Sequence, residues 1–167
     1  EKNGIKFLSE RKVMSEDVFF LLDFLDKCEC AVGVPGAFYC YCRNGESLSK
    51  SYRGDRFEKC RLIIDGINEV LSKRMDESVY KIYTDRLLQA YARAACMQEI
   101  QFSSKSGLSK AELDGRLRAI CNSKRLRETL KNYPWYKLPF TQAAFAFTMR
   151  FSLIKLQKFL VKIKDGR

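Results

Sequence analysis

The stretch VMSEDVFFLLDFL, residues 13–25, places a pair of carboxylates directly before a nearly unbroken apolar run. Ser15 is a favourable N-cap and Glu16 and Asp17 would fill the first turn, so the pattern predicts a helix that continues to about Lys27. Because this helix is apolar on most of its sides, we expect it to be largely buried. Acidic residues in a first helical turn stabilise a helix by about 0.3–1 kcal/mol without any catalytic role, so the pair taken alone indicates only a helix start.

The residues on either side of this helix favour extended structure. Residues 1–8 are predicted to be extended, with Ile5 and Phe7 on one face. Residues 38–43 follow a Pro-Gly turn and alternate in the way a strand does. The two faces of that strand would carry Phe38, Cys40 and Cys42 on one side and Tyr39, Tyr41 and Arg43 on the other. Asn44-Gly45 predicts a turn, and a Ser-rich loop follows to about Gly54.

From Asp55 onward the apolar residues recur at helical spacing. Ser109 and Glu112 match a capping box, which predicts a helix start at that point. The predicted helices span about 57–71, 77–102, 110–121, 124–133 and 141–164, with a break between Pro134 and Pro139. The core stripe of the helix at 77–102 is predicted to be Val79, Ile82, Leu87, Leu88, Tyr91 and Ala95. The predicted fold class is therefore mainly α with a small α/β portion, divided into residues 1–53 and 54–167.

The formal charge of +11 on 167 residues suggests an acidic partner, such as nucleic acid, an anionic membrane surface or a phosphorylated ligand. The sequence has seven Cys and no His. The odd number of Cys argues against a fully disulfide-paired secreted protein, so we expect mostly free, buried thiols in a reducing cytosol. Two Cys-x-Cys pairs, Cys28 with Cys30 and Cys40 with Cys42, match the spacing of zinc ligands only weakly.

Taken together, SEDVFFLLDFL and FYCYCRNGESLSKS resemble the C-terminal part of a bacterial family 2 glycosyltransferase domain of the GT-A type. The resemblance covers residues 1–53, and the helices after them are similar only loosely to the variable C-terminal extensions of bacterial members. It implies a nucleotide-sugar-binding α/β domain that transfers a sugar from a nucleotide-diphosphate donor to an acceptor hydroxyl with inversion. Synthesis of cell-envelope or surface polysaccharide is the expected setting, with a glycan or lipid-linked acceptor.

The resemblance also implies roles for individual residues. Asp17 would act as general base, with Glu16 as its neighbour. The resemblance also implies that three loop residues, Arg43, Ser47 and Ser49, lie near the donor diphosphate. Tyr39 and Tyr41 could line the sugar cleft or could equally pack against a helix. The family's nucleotide-binding half, with the Asp-x-Asp site for a divalent metal (Mg or Mn), has no counterpart in these residues, so the chain resembles a C-terminal fragment that is expected to be inactive alone.

Residues 141–164 predict an amphipathic helix with a cationic face. Its polar positions recur every three or four residues: Thr148, Ser152, Lys155, Lys158 and Lys162. The apolar face could complete the helical bundle, or the helix could lie on the anionic inner face of the cell membrane. Nucleic acid is disfavoured, because no helix-turn-helix or base-stacking sheet motif is present. The alternative to a glycosyltransferase is thus a basic helical module that binds a membrane surface or a partner, or a purely structural domain.

Overall fold

The computed structural model describes residues 4–7, 16–40, 52–103, 105 and 107–166. The chain divides into two compact units, Glu1–Arg53 and Gly54–Arg167. The helices are α1 (Glu16–Asp26), α2 (Arg56–Ser72), α3 (Glu77–Phe102), α4 (Lys110–Cys121), α5 (Lys124–Asn132), α6 (Phe140–Arg150) and α7 (Ile154–Asp165), with a 3₁₀ turn at Trp135–Lys137. The prediction of a mainly α protein is confirmed.

The predicted strand at residues 38–43 is wrong for the part that the structure describes. Phe38, Tyr39 and Cys40 have no regular structure and are exposed. A strand needs a neighbouring strand whose backbone completes the ladder of hydrogen bonds, and the described residues of the first unit contain none. The rest of the predicted strand, the Asn44-Gly45 turn and most of the Ser-rich loop lie outside the described residues.

The first helix, α1, forms where the sequence predicts it but is not buried. None of its residues is buried, and Leu21, Phe24 and Leu25 are each about half exposed to solvent. Phe20 stacks on Phe7, with ring centroids 3.9 Å apart and the rings nearly parallel. The expectation of burial is therefore wrong, because the described residues of this unit supply too little surface to cover a helix that is apolar on most sides. The predicted N-cap, Ser15, lies outside the described residues.

The second unit is a helical bundle built around α3. This helix of 26 residues contacts α2, α4, α5, α6 and α7. Fully or almost fully buried apolar side chains from these helices form the core: Ile63, Ile64, Leu88, Ala92, Leu117, Leu126, Leu130 and Met149. Burial of such side chains is worth about 1.5–3 kcal/mol each, so packing onto α3 is the main source of stability of this unit.

The buried face of α3 differs from the predicted stripe. Leu88 and Ala95 are buried as expected, but Val79 and Ile82 are half exposed. Polar residues take much of the buried face instead: Thr84, Asp85, Gln89, Gln98 and Glu99. Burying some of these polar groups costs less because they have partners on other helices. Thr129 Oγ1 donates a hydrogen bond to Asp85 Oδ1 (2.9 Å), and Arg56 Nη1 donates one to Gln98 Oε1 (2.8 Å).

Local sequence signals set several helix ends as predicted. Ser109 Oγ accepts a hydrogen bond from the backbone N–H of Glu112, and the Glu112 carboxylate accepts one from the backbone N–H of Ser109. This confirms the capping box at the start of α4. The predicted break at Pro134 and Pro139 is also confirmed, since α5 ends at Asn132 and α6 begins at Phe140.

The predicted continuous helix at residues 141–164 is wrong. The chain leaves the helix after Arg150, and Ser152 has φ 51°, a left-handed conformation that costs a residue with a side chain about 1–2 kcal/mol. The backbone N–H of Leu153 donates to the carbonyl of Thr148 (2.8 Å), and Ser152 Oγ contacts Asn122 Oδ1 at 3.0 Å. These contacts, and the packing of α7 against the bundle, offset the cost of the turn.

Candidate functional site

The carboxylate pair lies at the start of α1. Asp17 is exposed, and its Oδ1 accepts a hydrogen bond from the backbone N–H of Val18 (3.0 Å). Glu16 is half-buried. A carboxylate in this position interacts favourably with the positive end of the helix dipole. Asp17 is thus held at a helix N-terminus with its oxygens open to solvent, an arrangement that suits both a helix cap and a general base.

Most of the other predicted site residues cannot be placed beside Asp17. Arg43, Ser47, Ser49 and Tyr41 lie outside the described residues. Tyr39 is described and is 83% exposed, so in this unit it packs against no helix of the described residues. Whether these residues meet Asp17 in one site stays a prediction.

The described cysteines are free, as expected, but only some of them are buried. Cys60, Cys96 and Cys121 are buried, whereas Cys30 and Cys40 are exposed. Cys42, the last member of the second Cys-x-Cys pair, is not among the described residues. Within the part of the chain that the structure describes, no group of three or more His, Cys, Asp or Glu side chains could hold a metal ion.

Cys96 and Cys121 form a buried pair between α3 and α4. The pKa of Cys121 is lowered to about 7 because its sulfur accepts a hydrogen bond from Cys96, and Gln157 Nε2 lies 3.2 Å from the same sulfur. The pKa of Cys96 is raised by that hydrogen bond and by burial. Both side chains are fully buried, so substrate cannot reach them in this conformation. Their hydrogen bonds tie α3, α4 and α7 together, which is a structural role.

The second unit contains a groove of about 350 Å³ between α5 and the end of α6. We call it the basic groove; its lining residues are Arg127, Glu128, Leu130, Lys131, Arg150 and Phe151. Three cationic side chains and one carboxylate therefore face a cavity large enough for a small ligand. Such a set attracts anions, and Arg in particular matches the geometry of phosphate oxygens.

Two of the groove's guanidinium groups are held in place. Arg150 Nη1 donates a hydrogen bond to the carbonyl of Leu130, and its guanidinium lies 5.8 Å from the centre of the Phe151 ring. Arg127 Nη1 donates to Asn122 Oδ1 at 3.2 Å. Each of these bonds uses one of several N–H groups, so donors remain for a ligand. Positioning the cations in advance lowers the entropy lost on binding.

A row of aromatic rings leads from the 3₁₀ turn to this groove. The ring centroids of Trp135 and Phe147 are 6.0 Å apart, and those of Phe147 and Phe151 are 4.8 Å apart. Trp135 is the only tryptophan of the chain, so its fluorescence reports on this region.

The sequence analysis did not single out the basic groove, although a signal for it exists. Residues 116–164 contain one acidic residue, Glu128, and twelve Lys and Arg: Arg116, Arg118, Lys124, Arg125, Arg127, Lys131, Lys137, Arg150, Lys155, Lys158, Lys162 and Lys164. The +11 charge is thus concentrated in the last third of the chain. A charge count over windows would have pointed to this region, but not to the pairing of α5 with the end of α6.

No family model, curated protein or solved structure matches this chain. The likeness to family 2 glycosyltransferases therefore rests on the quoted residues alone. Among the described residues, no helix is both long and apolar enough to span a bilayer.

Proposed function

We propose that residues 1–53 are the C-terminal segment of a GT-A-type, family 2 glycosyltransferase domain and that residues 54–167 are its helical extension. The enzyme would transfer a sugar from a nucleotide-diphosphate donor to an acceptor hydroxyl with inversion, in envelope or surface polysaccharide synthesis on the cytoplasmic side of the membrane. The observation that supports this most is the exposed carboxylate of Asp17 at the start of α1, within the motif SEDVFFLLDFL.

In this proposal Asp17 is the general base. An acceptor hydroxyl is a weak nucleophile, and a carboxylate within hydrogen-bond distance takes its proton as the new bond to the sugar forms and the nucleoside diphosphate leaves. Such base catalysis is worth about 10²–10⁴-fold in rate. The hydrogen bond from the backbone N–H of Val18 holds the Asp17 carboxylate in position at the start of α1. Arg43, Ser47 and Ser49 would contact the diphosphate, whose negative charge Arg is suited to bind.

The divalent metal that the family implies does not fit the described residues. They contain no group of three His, Cys, Asp or Glu that could hold it. As the resemblance implies, the Mg²⁺ or Mn²⁺ ligands of the proposed enzyme would belong to its nucleotide-binding half, and the role proposed for Asp17 does not depend on contact with the metal.

The uncovered apolar surface of the first unit also supports the proposal. In addition to the half-exposed residues of α1, Val32, Val34 and Phe38 are each more than half exposed. Several exposed apolar side chains on one small unit are typical of a surface that contacts another protein surface. In the proposed enzyme, the nucleotide-binding half of the GT-A domain covers it.

Replacing Asp17 by Asn in the full-length enzyme tests the proposal. The change keeps the size and the hydrogen-bond acceptor but removes the base, so transfer should fall about 10²–10⁴-fold while donor binding persists. Glycosyl transfer and the donor Kd are measured in parallel. Asp23→Asn is the matched control, because it removes the same charge from an exposed position on the same helix, and it should leave transfer within about threefold. Retained transfer by Asp17→Asn contradicts the proposal.

The basic groove favours a second function for residues 54–167, the binding of a phosphorylated ligand. Calorimetric titration of the whole chain with inorganic pyrophosphate tests this. Lys131→Gln should weaken binding about tenfold, the usual cost of losing a charged contact. Lys124→Gln removes the same charge from the same helix outside the groove and should change the Kd less than about twofold. An equal loss of pyrophosphate affinity in the Lys131→Gln and Lys124→Gln variants, or no binding by the unmodified chain, contradicts a specific site in the groove.

A further inference from the structure

The helix α7 has apolar residues on two opposite sides. One side, formed by Ile154 and Val161 with Gln157 between them, is buried in the bundle. The other side carries Leu156, Phe159 and Ile163, which are 39%, 57% and 51% exposed. With 3.6 residues per turn, the two sets point away from each other. Only one of the two sides is therefore needed for packing within the bundle.

The turn that precedes α7 also carries exposed apolar residues. Phe151 and Leu153 in this turn are 54% and 38% exposed. Together with the three exposed residues of α7 they form what we call the outer stripe: Phe151, Leu153, Leu156, Phe159 and Ile163. Five exposed apolar side chains thus lie close together in the sequence, and exposed apolar side chains that are grouped on a surface commonly mark a contact site.

Lysines border the outer stripe. Lys155 and Lys162 are exposed, and neither forms an ion pair with a described residue. Lys158, in contrast, pairs with Asp114 of α4, so its charge is already compensated within the bundle. The border of the stripe is thus cationic, and its charge is available to an external partner.

The outer stripe and its bordering lysines together suit one kind of binding partner. An apolar stripe bordered by lysines is what a helix presents when it lies in the plane of a bilayer interface, with its apolar side among the acyl chains and its cations at the headgroups. A second copy of the chain is a less favourable partner than an anionic surface, because each copy carries a formal charge of +11. We propose that the outer stripe seats α7 on the surface of a membrane that contains anionic lipids.

This surface differs from the one that the sequence predicts. A continuous helix at 141–164 would present Thr148, Ser152 and Lys158 on its polar face, but Thr148 is buried and Lys158 is bonded to Asp114. The left-handed turn at Ser152 changes the direction of the chain. As a result, α6 packs in the bundle, and the surface proposed to contact the membrane lies on α7. The inference does not depend on the proposed glycosyl transfer.

Flotation of the whole chain with vesicles tests the inference, using phosphatidylcholine with and without phosphatidylglycerol. The chain should float with the anionic vesicles and much less with the neutral ones. Ile163→Ser should weaken binding to anionic vesicles about tenfold, because it removes an apolar side chain from the acyl region. Ile82→Ser is a closely matched control, since Ile82 is 50% exposed on α3, outside the outer stripe, and its replacement should leave binding within about twofold.

The lysines are tested separately. Replacing both Lys155 and Lys162 by Gln should lower binding to anionic vesicles about tenfold or more and reduce its dependence on salt. Circular dichroism establishes that each variant is folded. As an independent measurement, Phe159→Trp in a Trp135→Phe background places the single tryptophan on the stripe, and its emission should shift to the blue on vesicle binding. Equal binding of the Ile163→Ser and Ile82→Ser variants, no emission shift, or no flotation of the unmodified chain overturns the proposal.

Discussion

Leu88→Ala is expected to lower the free energy of unfolding of the second unit by about 2–5 kcal/mol. Leu88 is fully buried on α3, the helix that contacts five other helices, so its replacement leaves a cavity that the neighbouring helices cannot all close. Denaturant unfolding followed by the fluorescence of Trp135 measures the loss, because this only tryptophan lies within the second unit.

The control for this cavity lies on the same helix. Ile82→Ala removes a side chain of similar size from a half-exposed position and should cost less than about 1 kcal/mol. Equal losses for the two variants would mean that α3 is not the centre of the core.

Replacing Asp85 by Ala, which removes its buried carboxylate, should lower the free energy of unfolding of the second unit by about 3–5 kcal/mol. Asp85 Oδ1 accepts a hydrogen bond from Thr129 Oγ1 at 2.9 Å and lies 3.6 Å from Arg125 Nη2. Asp85→Ala leaves the buried Thr129 hydroxyl and the half-buried Arg125 guanidinium without their carboxylate, and desolvated groups that lose a partner are costly. The same denaturant experiment reports the change.

A double-mutant cycle separates the two partners of Asp85. Thr129→Val keeps the volume of the side chain and removes only the hydroxyl, so we expect a loss of about 1.5–3 kcal/mol. In the double variant the two losses should not add, because the same hydrogen bond is removed by either change. Glu69→Ala, at an exposed ion pair with Lys73, is the control and should cost less than about 1 kcal/mol. Additive losses would exclude a direct Asp85–Thr129 interaction.

The helical part of the fold was largely predictable because its signals are local. The period of apolar residues places α3 at Glu77–Phe102, and the capping box at Ser109 and Glu112 places the start of α4. Pro134 and Pro139 mark a break, since proline cannot continue a helix. Each of these signals acts within a few residues of the chain, so no knowledge of the tertiary structure was needed.

The remaining features depend on contacts between distant residues. The break at Ser152 contains neither Gly nor Pro, and contacts with residues such as Asn122 accompany it. Burial of Asp85 follows from the position of Thr129 on another helix, which no periodicity reveals. The exposure of α1 could not be predicted either, because an apolar helix is expected inside a protein unless its covering surface comes from elsewhere.

The candidate sites also combine features that the local sequence predicts with features that depend on tertiary contacts. Asp17 at a helix start was predictable from the dipeptide, although its role depends on residues that the structure does not place beside it. Arg127 and Lys131, four residues apart on α5, have the spacing of an ordinary solvated helix face. Only the position of Arg150, from the end of α6, turns that face into a groove.

The central position of α3 has a consequence for synthesis on the ribosome. Proteins are made from the N-terminus, and segments fold as their partners emerge. The buried thiol of Cys96 on α3 is hydrogen-bonded to the sulfur of Cys121, which also accepts a hydrogen bond from Gln157 of α7, a helix that follows α3 by about 50 residues. The contact between α3 and α7, and the hydrogen bond from Gln157 to Cys121, can therefore form only after α7 has been synthesised, so this part of the bundle is completed after α2 to α6 have emerged.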